Sequence, residues 1–205
     1  MQHNSSKKIS EIIIAVVAWS ALVLQLWLML KNAKSIGFTT TATLTNFFSY
    51  FTILSNLLVA VSCSARSDSF FAGTKTRSAI ALYIFIVGLV YNLVLRSLWH
   101  PTGSQLLADN LLHVVVPVVY LIYWFVFTPK KVLTWKDILP WLIFPLIYLV
   151  YSLVRGPIAH WYPYPFLDVD KHGFGKVLLN AFFVLLAFLV VGMGLIAVNR
   201  RGKAV

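Results

Sequence analysis

Long runs of apolar residues, separated by short polar stretches, are the dominant pattern of this chain. A helix of about 20 apolar residues spans the hydrocarbon core of a bilayer. Six runs approach this length, and we interpret the first as a retained helix because five more follow it. They cover residues 9–30, 44–64, 78–99, 106–127, 138–153 and 175–198. The pattern predicts an all-α membrane protein, with a bundle of six transmembrane helices in a single integral membrane domain over residues 1–205.

Composition and charge support this class and predict an orientation. Of the residues, 60% are hydrophobic and 11% charged, which is too apolar for the interior of a soluble domain of this size. Eleven of the 17 basic residues fall on the side that carries both termini, so the positive-inside rule predicts cytoplasmic N- and C-termini. Because these charges are dispersed over short loops, the net charge of +11 indicates orientation and not nucleic-acid binding. The eleven are Lys7, Lys8, Arg66, Lys75, Arg77, Lys130, Lys131, Lys136, Arg200, Arg201 and Lys203.

The second run, LTNFFSYFTILSNLLVAV, carries polar residues at helical spacing. Thr45, Ser49, Thr52 and Asn56 would share one helical face, with Ser55 beside them. Polar groups in membrane helices usually face the protein interior or a wet cavity. Close helix packing through small hydroxyl residues is the alternative explanation.

Polar residues of several runs also fall at similar depth. At a rise of ~1.5 Å per residue, Thr52 lies ~12 Å and His113 ~10 Å below the outer surface. The inner halves are mostly apolar, so the distribution predicts a cavity that opens from the outer leaflet. Other polar residues of the outer halves are Asn92, Arg96, Asp109, Asn110, Tyr151, Arg155 and Asn180.

His113 is the most informative of these residues, because it is the only histidine well inside a run. Asp109 precedes it by four positions on the same helical face and would orient the imidazole; Asn110 is an alternative orienting group. A threonine hydroxyl becomes a nucleophile when a base lies within hydrogen-bond reach. Spacing alone does not choose among Thr52, Ser49 and Ser55 as the hydroxyl.

Three short motifs carry a resemblance to a known family. They are FTILSN around Thr52, LLHVVVPVVYLIYW around His113, and WYPYPFLDV from Trp161 to Val169. In these motifs and their order the chain resembles the androgen-induced protein and androgen-dependent TFPI-regulating protein family, and is more similar to a bacterial-type relative than to the animal members. The resemblance implies an integral membrane hydrolase in a bacterial cell membrane. It also implies cleavage of lipid esters of the fatty acid ester of hydroxy fatty acid type, with Thr52 as nucleophile and His113 as base. Animal members have an acidic residue where this chain has Ser55 and Asn56.

Supporting roles follow as hypotheses. Amide groups near the pair would stabilise the oxyanion, and outer arginines would bind a substrate carboxylate. The aromatic loop after the fifth run would act as a lid or as an interfacial anchor. The oxyanion candidates are Asn56, Asn92 and Asn180; the substrate-binding candidates are Ser49, Ser55, Arg96, Tyr151 and Arg155.

Two other hypotheses for the function use the same residues. A small transporter or lipid-binding membrane protein would use the polar cavity without covalent chemistry, although the apolar inner halves disfavour access from both sides. A b-type haem protein usually needs a deep axial histidine, often two, and only His113 qualifies. We expect no cofactor and no metal, with the lipid ester and membrane lipids as partners. The natural ester and the oligomeric state do not follow from the sequence.

Overall fold

The computed structural model describes residues 2–35 and 37–202, and its regular elements over those ranges are all helices. Five helices are long and apolar enough to cross a membrane, and a bent pair brings the number to six if it counts as one span. The prediction of an all-α, multi-pass membrane protein is therefore confirmed. The chain folds as two compact units, one ending at Pro129 and one beginning at Lys130. That the two form one membrane domain stays a prediction, and Lys203 lies outside the described residues.

Over its described residues, the first unit contains six α-helices, two π-helical turns and a 3₁₀ turn, Phe70–Ala72. The first π-turn, Tyr91–Leu95, continues α4, and the second, Leu111–Val115, joins α5 to α6. Helix α1 packs against α3, and α4 packs against both α3 and α6. The helices are α1 (Gln2–Ser35), α2 (Thr40–Phe48), α3 (Phe51–Ser64), α4 (Thr74–Val90), α5 (Gly103–Asn110) and α6 (Val116–Phe127).

The predicted second span, residues 44–64, is not one continuous helix. Helices α2 and α3 meet at an angle of 73°. Helix α2 begins earlier than expected because Thr39 caps it, accepting a hydrogen bond from the Ala42 amide at 3.2 Å. It ends where Tyr50 adopts an extended conformation, with ψ 126°. The expected single polar stripe is therefore broken, and Thr45 is exposed while Thr52 is buried.

A buried ionic cluster lies at the opposite end of α4 from the first π-turn. Arg77, which the sequence placed in a cytoplasmic loop, is only 6% exposed. Its Nη1 lies 2.6 Å from Glu11 Oε1 of α1 and also donates to the Tyr123 hydroxyl of α6. Tyr123 in turn donates to Glu11 at 2.6 Å. The expectation of apolar inner halves is thus wrong at this end of the first unit.

The second unit consists of two long helices and their connections. Helix α7 (Ile138–Ala159) follows a 3₁₀ turn, Trp135–Asp137, and α8 (Val169–Arg201) follows another, Pro165–Leu167. Asn199, fully buried near the end of α8, accepts hydrogen bonds from the amides of Val132 and Leu133 at 3.1 and 3.0 Å. These bonds fix the start of the unit to the last turns of α8.

The aromatic loop between α7 and α8 folds back on its own unit. The Tyr162 ring occupies the space beside Gly156, where an added Cβ would lie 1.9 Å from a ring carbon. The Arg155 guanidinium lies 4.8 Å from the centre of the Trp161 ring. Helix α8 begins with an Asp168 cap but leaves helical geometry at Gly173, whose φ is 74°. The loop is therefore ordered by contacts with both helices of this unit.

Candidate active site

The Thr52 hydroxyl and the His113 imidazole meet in the first unit. The distance from Thr52 Oγ1 to His113 Nε2 is 3.3 Å, although the residues are 61 positions apart in the chain. The break before α3 places Thr52 in the first turn of that helix, and His113 lies in the second π-turn. Thr52 is 6% exposed and the His113 side chain 15% exposed, so both side chains of the pair are largely buried within the first unit.

Asp109 orients the imidazole with two acceptor atoms. His113 Nδ1 lies 3.0 Å from the Asp109 backbone carbonyl and 3.2 Å from its carboxylate Oδ1. Neither oxygen has a proton to give when the carboxylate is ionised, so Nδ1 carries the hydrogen. The lone pair of the neutral ring is then on Nε2, facing Thr52. Both partners of Nδ1 come from Asp109, so the alternative orienting group, Asn110, does not serve this function.

Asn56 links the two elements that carry the pair. It is fully buried, and its amide nitrogen donates to the Thr52 carbonyl at 2.8 Å and to the Leu112 carbonyl at 3.1 Å. The second bond satisfies a carbonyl that π geometry leaves without a donor, since the residue five positions after Leu112 is Pro117, which has no N–H. Asn56 therefore holds α3 against the turn that carries His113. With these two bonds made, it is not the oxyanion donor that the sequence indicated.

The remaining candidates of the first unit lie outside this pair. Asn92 is exposed; its amide nitrogen donates to Gly88 O at 2.8 Å, and its oxygen accepts from Arg96 at 3.0 Å. The Ser49 hydroxyl donates to the Thr45 carbonyl one turn back, at 2.6 Å. The Ser55 hydroxyl is buried and has no hydrogen-bond partner among the described residues. Of the three candidate hydroxyl groups, the one that lies against the imidazole is therefore Thr52.

Three candidates belong to the second unit. Tyr151 is exposed on α7, and Arg155 contacts Trp161 as described above. The Asn180 amide donates to the Phe166 carbonyl of the aromatic loop at 3.0 Å. The roles predicted for these three residues stay predictions. Within residues 2–35 and 37–202, no three His, Cys, Asp or Glu side chains form a group suited to a metal ion.

Sequence reasoning missed Tyr91 and Gly88 of the third apolar run. The Tyr91 hydroxyl donates to Asp109 Oδ2, and its ring stacks on His113 with centroids 4.2 Å apart. Gly88 permits close approach of α4, because an added Cβ would lie 3.3 Å from the His113 carbonyl oxygen and 3.4 Å from Pro117 Cβ. A tyrosine within an apolar helix is usually interpreted as a packing residue of the core. The available signal was that Tyr91 lies at the depth assigned to Asn92.

Comparisons with known proteins identify no relative. No protein-family model, no curated protein and no solved structure matches this chain. The candidate site is therefore defined by its geometry alone: a hydroxyl, an imidazole, a carboxylate behind the imidazole, and a tyrosine that donates to the carboxylate.

Proposed function

We propose that this chain is an intramembrane hydrolase that cleaves lipid esters, with Thr52 as nucleophile and His113 as general base. The observation that carries the proposal is the 3.3 Å approach of Thr52 Oγ1 to His113 Nε2, with Nδ1 of the same ring against Asp109. A hydroxyl, a base and an orienting carboxylate in this order form the arrangement that activates serine in unrelated hydrolases. The sequence resemblance independently favours the same two residues.

The reaction follows from these contacts. His113 Nε2 takes the proton of Thr52 as its oxygen attacks the ester carbonyl, and Asp109 stabilises the imidazolium that results. The tetrahedral intermediate collapses to an acyl-threonine, and the alcohol leaves with the proton from Nε2. Water, deprotonated by the same nitrogen, then attacks the acyl-threonine and releases the acid, restoring the Thr52 hydroxyl.

The position of Thr52 on its helix favours the oxyanion. The first turn of α3 lies at the positive end of the helix dipole, and the break after Ser49 directs that end toward the imidazole rather than into α2. Negative charge near a helix start is stabilised by typically ~0.3–1 kcal/mol at exposed sites and more when partly buried. Backbone amides of this turn replace Asn56, Asn92 and Asn180 as the oxyanion donors in the proposal.

The substrate class follows from the setting. An ester that reaches Thr52 does so among apolar membrane helices, so a long-chain ester with one polar end fits better than a water-soluble one. The resemblance narrows this class to fatty acid esters of hydroxy fatty acids. We place the site within the outer leaflet of a bacterial cell membrane, as the resemblance and the depth of the pair indicate. Both termini are then in the cytoplasm, since most basic residues lie on the side of the termini.

The direct test is hydrolysis by the purified protein in detergent. The substrates are a fatty acid ester of a hydroxy fatty acid and a long-chain 4-nitrophenyl ester. We expect Thr52→Ala and His113→Gln to lose turnover, by about 10²-fold or more for the base, while Thr52→Ser retains part of it. Thr45→Ala is the matched control, because Thr45 is exposed and its hydroxyl bonds to the Thr41 carbonyl at 2.9 Å, away from any base. Full turnover by Thr52→Ala would overturn the nucleophile assignment.

A transporter or lipid-binding protein is the alternative. The buried cluster of Glu11, Arg77 and Tyr123 gives the first unit polar groups near both ends, which removes the argument from apolar inner halves. However, transport does not need a hydroxyl paired with a base of fixed tautomer. Uptake of a labelled fatty acid into proteoliposomes, with unchanged uptake by Thr52→Ala and no ester cleavage, would favour this alternative.

A further inference from the structure

Tyr91 contacts the proposed base, His113, and its carboxylate partner, Asp109, and lies in neither of the sequence motifs around Thr52 and His113. It is 4% exposed at the end of α4. Its hydroxyl donates to Asp109 Oδ2, and its ring lies over the His113 imidazole at 4.2 Å with an angle of 15° between the planes. Tyr91 is thus joined to the carboxylate by a hydrogen bond and to the imidazole by ring stacking.

The carboxylate of Asp109 is divided between two partners. Oδ1 lies 3.2 Å from His113 Nδ1, and Oδ2 accepts from the Tyr91 hydroxyl. A buried carboxylate without a second donor would gain by rotating or by taking a proton, since an unpaired buried charge is costly. The Tyr91 hydroxyl therefore gives Oδ2 a hydrogen-bond donor and keeps Oδ1 directed at Nδ1.

The backbone places Tyr91 for this contact. Helix α4 changes to π geometry at Tyr91, whose carbonyl accepts from the Arg96 amide five positions later at 2.8 Å. His113 lies in the other π-turn, and Gly88, one turn before Tyr91, allows the two segments to approach. Single π-turns inside α-helices occur frequently at functional sites. Both described π-turns contribute a residue to this contact.

We propose that Tyr91 is a positioning residue for the proposed reaction: through Asp109 and by stacking, it fixes His113 in the tautomer that leaves Nε2 free for Thr52. This inference rests on the proposed function for its kinetic consequence, but not for its structural one. The tautomer of His113 is defined whether or not an ester is cleaved.

Tyr91→Phe separates the effect of the hydroxyl from the effect of the ring, because phenylalanine keeps the stacking surface and removes only the hydrogen bond. We expect kcat on the 4-nitrophenyl ester to fall ~10-fold or more, with KM within twofold of wild type. Such a fall is part of the ~10²–10⁴-fold that a general base contributes. Tyr83→Phe is the matched control. Tyr83 is similarly buried on α4, but its ring packs against Phe51 and not against His113, with the two ring centroids 6.3 Å apart. A merely structural role would lower thermal stability or change KM in place of kcat.

Nitrogen-15 NMR of the histidine side chains reads the tautomer directly. The chain has five histidines, and the spectrum of His113→Gln identifies the signal of His113. We expect wild type to show a protonated Nδ1 and a bare Nε2 in the neutral ring, and Tyr91→Phe and Asp109→Asn to show mixed tautomers. An unchanged tautomer and unchanged kcat in Tyr91→Phe would overturn the inference. If wild type cleaves no ester, the proposed function fails while the tautomer comparison still decides the role of Tyr91.

Discussion

Replacing Asn56 with leucine tests whether one amide holds the site together. The side chain is fully buried and makes two hydrogen bonds, to the Thr52 and Leu112 carbonyls. Leucine has nearly the same volume and donates nothing. The Thr52 carbonyl still accepts from the α3 backbone amide four positions later. The Leu112 carbonyl has no such donor, because the residue five positions later is Pro117, which lacks an N–H.

The magnitude follows from these two losses. A buried acceptor left without a donor costs about 1–3 kcal/mol, and a lost net hydrogen bond costs about 0.5–1.5 kcal/mol. Asn56 Oδ1 has no hydrogen-bond partner among the described residues, so replacing this buried oxygen with a methyl group recovers part of the lost free energy of unfolding. We expect a net loss of about 2 kcal/mol in the free energy of unfolding. At about 2–4 °C per kcal/mol for domains of 150–250 residues, the Tm falls by ~4–8 °C.

The assay is thermal unfolding of the purified protein in detergent, followed by tryptophan fluorescence, with alkyl fluorophosphonate labelling measured in parallel. Asn92→Leu is the matched control, since the Asn92 side-chain amide also donates a hydrogen bond to a backbone carbonyl, at 2.8 Å, but the residue is exposed. We expect its Tm to stay within about 1–2 °C, because surface substitutions usually change stability by less than about 0.5 kcal/mol. Equal shifts for the two variants would refute the reasoning. Wild-type labelling of Asn56→Leu would separately refute the claim that Asn56 holds Thr52 against His113.

Two further substitutions test packing and charge in the first unit. Gly88→Ala adds a Cβ 3.3 Å from the His113 carbonyl oxygen, so we expect slower fluorophosphonate labelling. The Tm should stay nearly unchanged, because alanine gains ~0.8–1.0 kcal/mol of helix propensity over glycine. The control Gly194→Ala, whose added Cβ has nothing within 4 Å, should label normally, and normal labelling of both variants would contradict this prediction. Glu11→Gln leaves Arg77 buried without its counter-charge, and we expect thermal unfolding to show a loss of about 3–5 kcal/mol that the double variant Glu11→Leu/Arg77→Met largely recovers. An unchanged Tm for Glu11→Gln would show that the ion pair contributes little.

The hydrophobic pattern was enough to predict the helical membrane class, because span length is set by bilayer thickness. It was not enough for the break at Ser49–Tyr50, where no proline or glycine marks the end of α2. The signal was further upstream: Thr39 caps a helix that begins four residues before the expected span. Capping chemistry gives the helix start, whereas hydropathy gives only the apolar window.

Charge counting failed where a basic residue pairs inside the protein. Arg77 was counted as a loop charge, but it is buried against Glu11, the one acidic residue within the first apolar helix. An acidic residue near the end of a span is costly without a partner, and it therefore indicates one. The sequence pattern could have predicted that Glu11 has a buried counter-charge, but not which of the nearby basic residues provides it.

The candidate site was predictable in its residue types and depth but not in its partners. Spacing placed Asp109 and His113 on one face, and the structure has them in contact. The roles of Asn56 and Tyr91 depend on contacts between distant parts of the chain, created by two π-turns. Pro117 is the local cause of the missing donor in one of them, while nothing in the sequence around Tyr91 marks the other.

Mapping the covalent adduct of an alkyl fluorophosphonate tests the central claim most directly. Peptide mass spectrometry of labelled wild type should place the adduct on Thr52, within the sequence FTILSN. Thr52→Ala should carry no adduct, and His113→Gln should label far more slowly. An adduct on Ser49 or Ser55, or full labelling of Thr52→Ala, would contradict the account.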